Sequence, residues 1–388
     1  MSEKHISNAI RCVGVDDTTI RLFEGQYPVP NGVSYNSYVI LDEKVAVMDT
    51  VDRRGTVSWM RNVEEALAGR KPDYLVIQHM EPDHAGSIGL LAEKYPDMTL
   101  VGNAKTFTMF PKFFPGEYTG RQITVKEGDT LSLGSHTLHF VMAPMVHWPE
   151  VMVSYEDSEK VLFSADGFGK FGALEQEGEW LDEARRYYLN IVGKYGSQVQ
   201  ALLKKAAALD IQTICPLHGP VLRENLGYYI GKYDLWSRYE PEEEGVLIAY
   251  ASIHGNTAKA AGLMRGILEE QGCGKVSVMD LSRCDQSAAV AEAFRYGKMV
   301  AMSSTYDGGL FPPMDQFMAH LRDKTYRSRR VALIENGSWA PSAAKHMRTF
   351  LEGMKDITIC STVHTIQGAV KDCDIEAMKT IASQLLAE

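Results

Sequence analysis

Residues 73–91 read DYLVIQHMEPDHAGSIGLL. The apolar run at the start of this stretch predicts a fully buried strand that ends at Gln78. In extended geometry, positions 79, 81 and 83 project to one face, so that three side chains can converge on one point. Two neighbouring carboxylates resist burial unless a cation compensates their charge, so the stretch predicts a metal site. Its candidate ligands crowd into six positions: His79, Glu81, Asp83 and His84.

Three more candidate ligands each follow a buried run further along the chain. His147 comes after HTLHFVMAPM, Asp166 ends KVLFSAD, and His218 follows TICPL. Taken singly, each residue fits a hydrogen-bonded loop histidine or a strand-end turn aspartate. Loops at strand ends gather around sites, however, so we expect these three residues to complete the metal site.

Composition describes a globular chain and excludes some partners. The 388 residues are 45% apolar and 23% charged, with a formal net charge of −10. That balance argues against a nucleic-acid partner, which requires basic patches. We expect no membrane span and no signal peptide, because no apolar run reaches the necessary length. Six scattered cysteines without a CxxC pair predict buried thiols in a reducing cytoplasm.

The segment up to about residue 240 reads as many short strands with a few helices. Alternating and continuous apolar runs predict the strands, and amphipathic stretches predict helices at Val57–Ala68 and Leu181–Leu203. The expected strands include Tyr35–Leu41, Val45–Met48, Tyr74–Gln78, Thr137–Met142 and Val161–Ser164.

A different pattern follows the linker-like sequence RYEPEEEG at Arg238–Gly245. Buried strands then alternate with helices, which predicts right-handed βαβ units and a parallel, doubly wound sheet of flavodoxin size. We therefore expect an N-terminal domain over 1–242 and a C-terminal domain over 243–388. The five strands are Val246–Tyr250, Lys275–Asp280, Met299–Ser303, Arg330–Glu335 and Ile357–Val363.

The first strand of this second pattern leads into a phosphate-binding loop. The loop ASIHGNT is followed by the helix-forming run AKAAGLMRGILEE, so a phosphate would meet backbone N–H groups, the hydroxyls of Ser252 and Thr257, and the positive end of the helix. The loop has no lysine, which suits a monophosphate rather than a triphosphate with magnesium. An ordinary Asn/Thr helix cap is the alternative interpretation.

Two further loops, SSTYDGG and ENGSW, end later strands at the edge where doubly wound sheets bind ligands. Glycines allow close backbone approach, and an aromatic ring in each loop could cover a flat ligand. The three loops resemble the phosphate loop and the two isoalloxazine loops of flavodoxins, which implies bound FMN. The expected FMN contacts are Ser252, Ile253, His254, Gly255, Asn256, Thr257, Ser303, Ser304, Thr305, Tyr306, Asp307, Gly308, Asn336, Gly337, Ser338 and Trp339.

A dinucleotide fingerprint also occurs, at Gly167, Gly169 and Gly172. It opens no clear helix and lies directly behind Asp166. We interpret it as a loop beside the metal site and expect no NAD there.

The spacing H-x-E-x-D-H, followed in order by His147, Asp166 and His218, resembles the metallo-β-lactamase-like domain of flavodiiron proteins, also called A-type flavoproteins. The resemblance covers essentially the full chain. It implies an α/β protein, in which a metallo-β-lactamase-like αββα domain precedes a flavodoxin-like doubly wound domain with a parallel sheet.

The resemblance also implies a ligand set for two iron ions. His79, Glu81 and His147 would bind one iron, Asp83, His84 and His218 the other, and Asp166 would bridge both. Zinc hydrolases of this fold carry a histidine where this chain has Glu81. A carboxylate adds a harder oxygen donor and negative charge, which favours iron.

The implied activity is reduction of O2 to water, of NO to N2O, or of both, with FMN relaying electrons from rubredoxin or a similar small donor. A head-to-tail homodimer, or a dimer of dimers, is implied as well. The choice between O2 and NO depends on groups around the irons, such as Trp148 and the Tyr35–Tyr38 region. The rival interpretations are a zinc hydrolase fused to a flavodoxin domain and a pure electron carrier.

Overall fold

The structure, a computed structural model, describes residues 5–116, 118–176 and 178–387. It divides into two compact units. The first consists of the chain up to Tyr188 together with Ser197–Asp234, and the second consists of Leu189–Gly196 together with the chain from Leu235 onward.

The first unit is built mainly of strands. Its helices are α1 (Thr56–Leu67), α2 (Pro82–Ala85), α3 (Ile88–Lys94), α4 (Ala104–Phe113), α5 (Trp180–Tyr187) and most of α6 (Gly196–Ala206) and α7 (Leu226–Ser237). Its strands are β1 (Ile10–Cys12), β2 (Val15–Asp17), β3 (Leu22–Phe23), β4 (Tyr27–Pro28), β5 (Val33–Tyr35), β6 (Tyr38–Leu41), β7 (Val45–Met48), β8 (Tyr74–Val76), β9 (Thr99–Asn103), β10 (Gln122–Val125), β11 (Thr130–Ser132), β12 (Thr137–Met142), β13 (Met152–Glu156), β14 (Val161–Phe163) and β15 (Thr213–Cys215).

Two large sheets form this unit. The first has the order β1-β6-β7-β8-β9-β10 and is parallel from β7 to β10. The second has the order β11-β12-β13-β14-β15 and is antiparallel except for its last pair. One apolar core joins them, with Met48 and Val76 from the first sheet and Phe140 and Phe163 from the second. Face-to-face packing of this kind places the strand tips of both sheets at common edges.

The predicted extended run through position 83 is wrong. Glu81 has extended backbone, but Pro82–Ala85 forms the short helix α2 with Pro82 in its first turn, where a proline costs no hydrogen bond. The amide of His84 donates to the carbonyl oxygen of Glu81 at 2.9 Å. Asp83 therefore points away from the face shared by His79 and Glu81, and it joins a different cluster of side chains.

The predicted helical stretch Leu181–Leu203 is helical, but it is not one regular α-helix. A π-helical turn at Tyr188–Val192 and a 3-10 turn at Gly193–Tyr195 separate α5 from α6. The hydroxyl of Tyr239 accepts a hydrogen bond from the amide of Gly196 and donates to the carbonyl of Gly193. A side chain at Gly196 would lie 2.3 Å from the carbonyl oxygen of Ser237, so glycine is required at this approach.

The second unit is a parallel sheet with the order β17-β16-β18-β20-β21. In chain order this is 2-1-3-4-5, the arrangement of flavodoxin-like folds, which bind ligands at the carboxyl edge. Its helices are α8 (Asn256–Glu270), α9 (Gln286–Arg295), α10 (Pro312–Asp323), α11 (Ala343–Glu352) and α12 (Asp372–Leu386), and its strands are β16 (Glu243–Ala251), β17 (Val276–Asp280), β18 (Tyr296–Tyr306), β19 (Gly309–Leu310), β20 (Arg329–Asn336) and β21 (Ile357–Ile366).

Within the described ranges, no helix combines the length and the apolar character needed to cross a bilayer.

Candidate metal centre and cofactor cleft

The seven predicted ligands come together at the strand tips of the first unit. His79 lies just past β8, Asp166 just past β14 and His218 just past β15. His147 lies in the connection between β12 and β13. Six of the seven are buried and Glu81 is half-buried, so the folded chain concentrates ionisable groups where water cannot solvate them.

The first cluster contains His79, Glu81, His147 and Asp166. Nε2 of His147 lies 2.9 Å from Oε2 of Glu81 and 3.1 Å from Oδ2 of Asp166. Nε2 of His79 lies 3.2 Å and 3.3 Å from the same two oxygens. Two nitrogens and two oxygens thus point at one small volume.

The second cluster contains Asp83, His84 and His218. Oδ2 of Asp83 lies 3.3 Å from Nε2 of each histidine, and the two Nε2 atoms are 3.1 Å apart. Two imidazole nitrogens at this separation repel each other through their lone pairs unless a proton or a metal ion lies between them.

Asp166 connects the two clusters through its separate carboxylate oxygens. Oδ2 faces His79 and His147, and Oδ1 lies 3.2 Å from Nε2 of His84. A single carboxylate in this position can bind a different metal ion through each oxygen. The pair of clusters therefore fits two adjacent cations rather than one.

Several ligand atoms in the clusters make no hydrogen bond to a described residue, in spite of these short distances. Both carboxylate oxygens of Asp83 and of Asp166, and Nε2 of His147, are buried and have no hydrogen bond within the described part of the chain. Buried polar atoms are rarely left so, and bound metal ions would satisfy all of them. Four imidazoles and three carboxylates form a mixed N/O donor set, which suits non-haem iron.

Without metal, the clustered charges strongly shift the pKa values of Asp166 and His147. Burial alone would raise the pKa of Asp166, but His79, His147 and His84 hold that pKa well below its usual value. Burial alone would lower the pKa of His147, but Asp166 and Glu81 raise it to about 9. Asp166 is thus kept ionised as a ligand, and a metal ion has to displace a proton from His147.

Aromatic rings surround the clusters. The rings of Phe23, Tyr35 and Tyr187 have centroids 5.4–5.9 Å from that of His218, and the ring of Trp148 meets His79 edge-on at 5.4 Å. Trp148 and Tyr35, expected near the irons, thus lie against ligand rings. This surrounding apolar surface excludes water and strengthens the electrostatic interactions inside.

Three residues that support the ligands were not predicted from the sequence. Glu150 accepts a hydrogen bond from Nδ1 of His79 at 2.8 Å, and the carbonyl oxygen of Ser34 accepts one from Nδ1 of His218 at 2.7 Å. Asp49 accepts bonds from the amides of Gln78 and His79. Of these three residues, only Glu150 offered a signal in the sequence, because it comes soon after the candidate ligand His147 in HWPE.

A cleft of about 170 Å³ opens at the carboxyl edge of the sheet in the second unit. The amino terminus of α8 is at this cleft, and Gly255 before it has a φ of 92°, which glycine adopts readily. No lysine or arginine is among its described lining residues, so helix and backbone N–H groups have to hold a phosphate. The lining residues are Ser252, Ile253, His254, Asn256, Thr257, Ser304, Thr305, Asn336, Gly337, Ser338 and Gly368.

The other predicted FMN contacts lie at the margin of this cleft or inside the sheet. Ser303 is a fully buried residue of β18, and Asp307 and Gly308 form the tight turn between β18 and β19. Tyr306 is 45% exposed and Trp339 is 78% exposed, which leaves both rings free to cover a flat cofactor. Gly368 was missed. The amide of Asn336 donates to its carbonyl at 2.9 Å, which ties this fourth loop to the cleft.

The comparisons with known proteins agree with this geometry. Residues 33–219 match the family described as ODP family beta lactamase. An anaerobic nitric oxide reductase flavorubredoxin of Aliivibrio fischeri is 30% identical over 361 residues, which cover 89% of this chain and 72% of that protein. This chain belongs to the flavodiiron proteins.

Other flavodiiron relatives extend the match to the whole chain. The rubredoxin-oxygen oxidoreductase of Megalodesulfovibrio gigas is 28% identical over 99% of this chain and 98% of its own length. A solved structure of rubredoxin oxygen:oxidoreductase from Desulfovibrio gigas, also 28% identical, superposes with a TM-score of 0.92 over 98% of this chain and 97% of that one. The flavodiiron protein of Giardia intestinalis, at 23% identity and a TM-score of 0.91, shares the fold.

The predicted family and fold class are therefore confirmed: a metallo-β-lactamase-like unit and a flavodoxin-like unit occur in one flavodiiron chain. The cofactors predicted from the sequence, FMN and a non-haem diiron centre, are those of this family.

Proposed function

We propose that this flavodiiron protein reduces O2 to water, NO to N2O, or both, at a diiron centre held by His79, Glu81, Asp83, His84, His147, Asp166 and His218. FMN in the cleft of the second unit relays electrons from rubredoxin or a similar small donor. The proposal divides the chain into residues 1–242, which bind iron, and residues 243–388, which bind FMN.

One observation carries this proposal. Asp166 stands between two histidine–carboxylate clusters, and Glu81 occupies a place in the first of them. Two cations held side by side by one carboxylate suit a diatomic substrate that contacts both. The oxygen donor of Glu81 makes this pocket better suited to iron than to zinc.

The electron count fits the two cofactors. Reduction of O2 to two waters consumes four electrons and four protons, and coupling of two NO to N2O and one water consumes two of each. When bound, two ferrous irons supply one electron each at the substrate, and reduced FMN supplies two more.

The side chains of the protein prepare the site for this reaction. Burial opposes the ionisation of Asp166, but the imidazoles of His79, His147 and His84 keep it ionised as a ligand. Phe23, Tyr35 and Tyr187 place apolar surface beside His218, which limits water around the substrate. Backbone amides at the start of α8 would hold the FMN phosphate.

The names of the relatives support the substrates and the donor. One is named for nitric oxide reduction and another for transfer from rubredoxin to oxygen. Because these relatives are 28–30% identical to this chain, the proposal keeps both O2 and NO as substrates. Electron transfer over short distance is best served by a head-to-tail homodimer, or a dimer of such dimers, in which the FMN of one chain faces the irons of the other.

Anaerobic turnover tests the proposal. The purified protein is reduced with a chemically reduced rubredoxin, and consumption of O2 and of NO is measured in parallel with iron and zinc analysis. We expect two irons per FMN and consumption of at least one gas. A protein that contains zinc and consumes neither gas would instead be a hydrolase fused to a flavodoxin domain, and one that contains redox-active flavin but consumes neither gas would be an electron carrier.

A further inference from the structure

The two metal clusters are equal in their own ligands but not in what lies behind them. Each has two imidazoles and one carboxylate of its own, and they share Asp166. Behind His79 stands Glu150, with Oε1 2.8 Å from Nδ1 of the ring, and both residues are fully buried. This carboxylate stands behind the first cluster only.

The histidines of the second cluster have weaker support. Nδ1 of His218 donates to a neutral acceptor, the carbonyl oxygen of Ser34, at 2.7 Å. Nδ1 of His84 is buried and has no hydrogen bond within the described ranges. The buried carboxylate of Asp49 interacts electrostatically with His84, but it accepts its hydrogen bonds from the backbone amides of Gln78 and His79 and the side-chain amide of Gln78 rather than from an imidazole.

A carboxylate acceptor has two effects on a metal-binding histidine. It fixes the proton on Nδ1 and therefore presents the lone pair of Nε2 to the metal. It also raises the basicity of the ring more than a neutral carbonyl does, because the hydrogen bond is charge-assisted. A more basic ligand stabilises ferric iron relative to ferrous iron.

The position of Glu150 is fixed by a second donor. The amide of Met80 donates to the same Oε1 at 2.8 Å, and Nδ2 of Asn103 donates to the carbonyl oxygen of Glu150 at 2.5 Å. The other carboxylate oxygen, Oε2, is buried and has no hydrogen bond within the described part of the chain. A glutamine here would keep its oxygen toward both N–H donors, and it would replace the unbonded Oε2 by a neutral NH2 group, which removes the charge.

We propose that Glu150 is a positioning residue that makes the two iron sites inequivalent, so that the iron bound by His79, Glu81 and His147 is held more tightly and is oxidised first. This inference rests on the proposed diiron centre. It concerns the order in which the irons change oxidation state, which the ligand set alone does not determine.

The test compares Glu150→Gln, Glu150→Ala and the control Glu156→Gln in the full-length protein. Glu156 is as deeply buried as Glu150, but its carboxylate caps the turn at Ser158 and Glu159 and touches no histidine ligand. Iron affinity is measured by competition with a chelator. The potentials of the two irons are measured by redox titration followed by electron paramagnetic resonance of the mixed-valence state.

We expect Glu150→Ala to lower the affinity for one of the two irons by roughly 10–100-fold, the usual cost of losing such a supporting partner. Glu150→Gln should keep iron affinity within a few-fold of wild type. It should raise the potential of the iron that is oxidised first, by about 59 mV for each tenfold loss of ferric preference. Glu156→Gln should change neither quantity.

If the reduction potentials of both irons are the same in Glu150→Gln as in Glu156→Gln, the inference is overturned. It is also overturned if Glu150→Ala retains both irons at wild-type affinity. These failures are distinct from a failure of the proposed function, which would already be evident as absent iron or absent gas consumption in the wild-type protein. Should Glu150→Ala not fold, the potentials of the glutamine variant still decide the question.

Discussion

Oδ2 of Asp166 lies 3.1 Å from Nε2 of His147, with both groups buried and the nitrogen making no hydrogen bond to any described residue. In a metal-free protein, protonated imidazoles have to offset the buried carboxylate, and burying these charges without hydrogen bonds is costly. A cation placed between the two atoms removes the cost. The same carboxylate approaches His84 through its other oxygen, so its loss affects both proposed iron sites.

Replacement of Asp166 by alanine should therefore remove iron and leave the flavin. We expect iron content to fall on the order of tenfold or more, since both sites lose an anionic ligand and keep an excess of imidazoles. FMN should remain at the wild-type level, because its cleft is built from the second unit. Iron analysis and flavin absorbance measure both. An Asp166→Ala protein with two irons would rule out the bridging role, and Asp157→Ala, an exposed change, serves as control.

Replacement of Trp339 by alanine should weaken flavin binding. The ring is 78% exposed beside the cleft, a position suited to stacking on a flat cofactor. Loss of such a contact costs about 1 kcal/mol, so the Kd for FMN should rise roughly tenfold or less. Fluorescence of released FMN reports the change. Trp339→Phe keeps an aromatic ring and should bind nearly as well as wild type; equal affinity for the alanine variant would show that the ring does not contact flavin.

Asp42 and His136 provide a pH-dependent link between the end of β6 and the hairpin β11–β12. Oδ2 of Asp42 accepts from the amide of His136 at 2.7 Å and from its Nδ1 at 2.8 Å. Burial would raise the pKa of Asp42, but the hydrogen bonds from His136 and its neighbours lower that pKa to about 2. Burial would lower the pKa of His136, but Asp42 and Glu159 raise it.

Asp42→Ala should therefore destabilise the protein most between about pH 4 and about pH 6.5, by about 2 kcal/mol. The contribution of Asp42 to the free energy of unfolding is present above its unfolded pKa and is lost as pH falls toward 2. The contribution of His136 is lost as pH rises through its folded pKa. Chemical unfolding at several pH values measures the difference from wild type. Asp157→Asn, which alters the exposed His139–Asp157 pair, should cost less than about 1 kcal/mol at every pH. A pH-independent effect of Asp42→Ala would contradict the proposed ionic contribution.

Arg329 is a buried cation that binds main-chain oxygens of the second unit. Its guanidinium donates to the carbonyls of Tyr239, Phe294 and Tyr296 at 2.7–2.8 Å, and the residue is only 3% exposed. Arg329→Met leaves these carbonyls without their donor and should lower the free energy of unfolding by about 3 kcal/mol. Thermal unfolding followed by circular dichroism tests this. Arg283→Met, on a side chain 74% exposed, is the control; equal melting temperatures for the two variants would refute the role of Arg329.

The sequence predicted the sheets well where a strand is either apolar throughout or alternates between apolar and polar residues. Val45–Met48 and Thr137–Met142 are strands with the predicted bounds, because full or alternating burial leaves a periodic signal. The break after Tyr187 left no such signal. It depends on the hydroxyl of Tyr239 and on the close approach of Ser237 to Gly196, and both contacts join distant parts of the chain.

The metal centre shows the same limit. The spacing of His79, Glu81 and Asp83 revealed a site, but not that the turn at Pro82 sends Asp83 into a second cluster. The position of Glu150 soon after His147 was a signal, but it did not identify His79 as the partner, because the bond between them spans 71 positions.

Seven side chains are proposed to hold two irons, with Asp166 shared between them. Crystals of protein produced with ample iron should be measured with X-rays just above and just below the iron absorption edge. We predict two anomalous peaks that appear only above the edge, one among His79, Glu81 and His147 and one among Asp83, His84 and His218. A single peak, or peaks that respond to the zinc edge instead, in protein with its full complement of flavin would contradict this proposal.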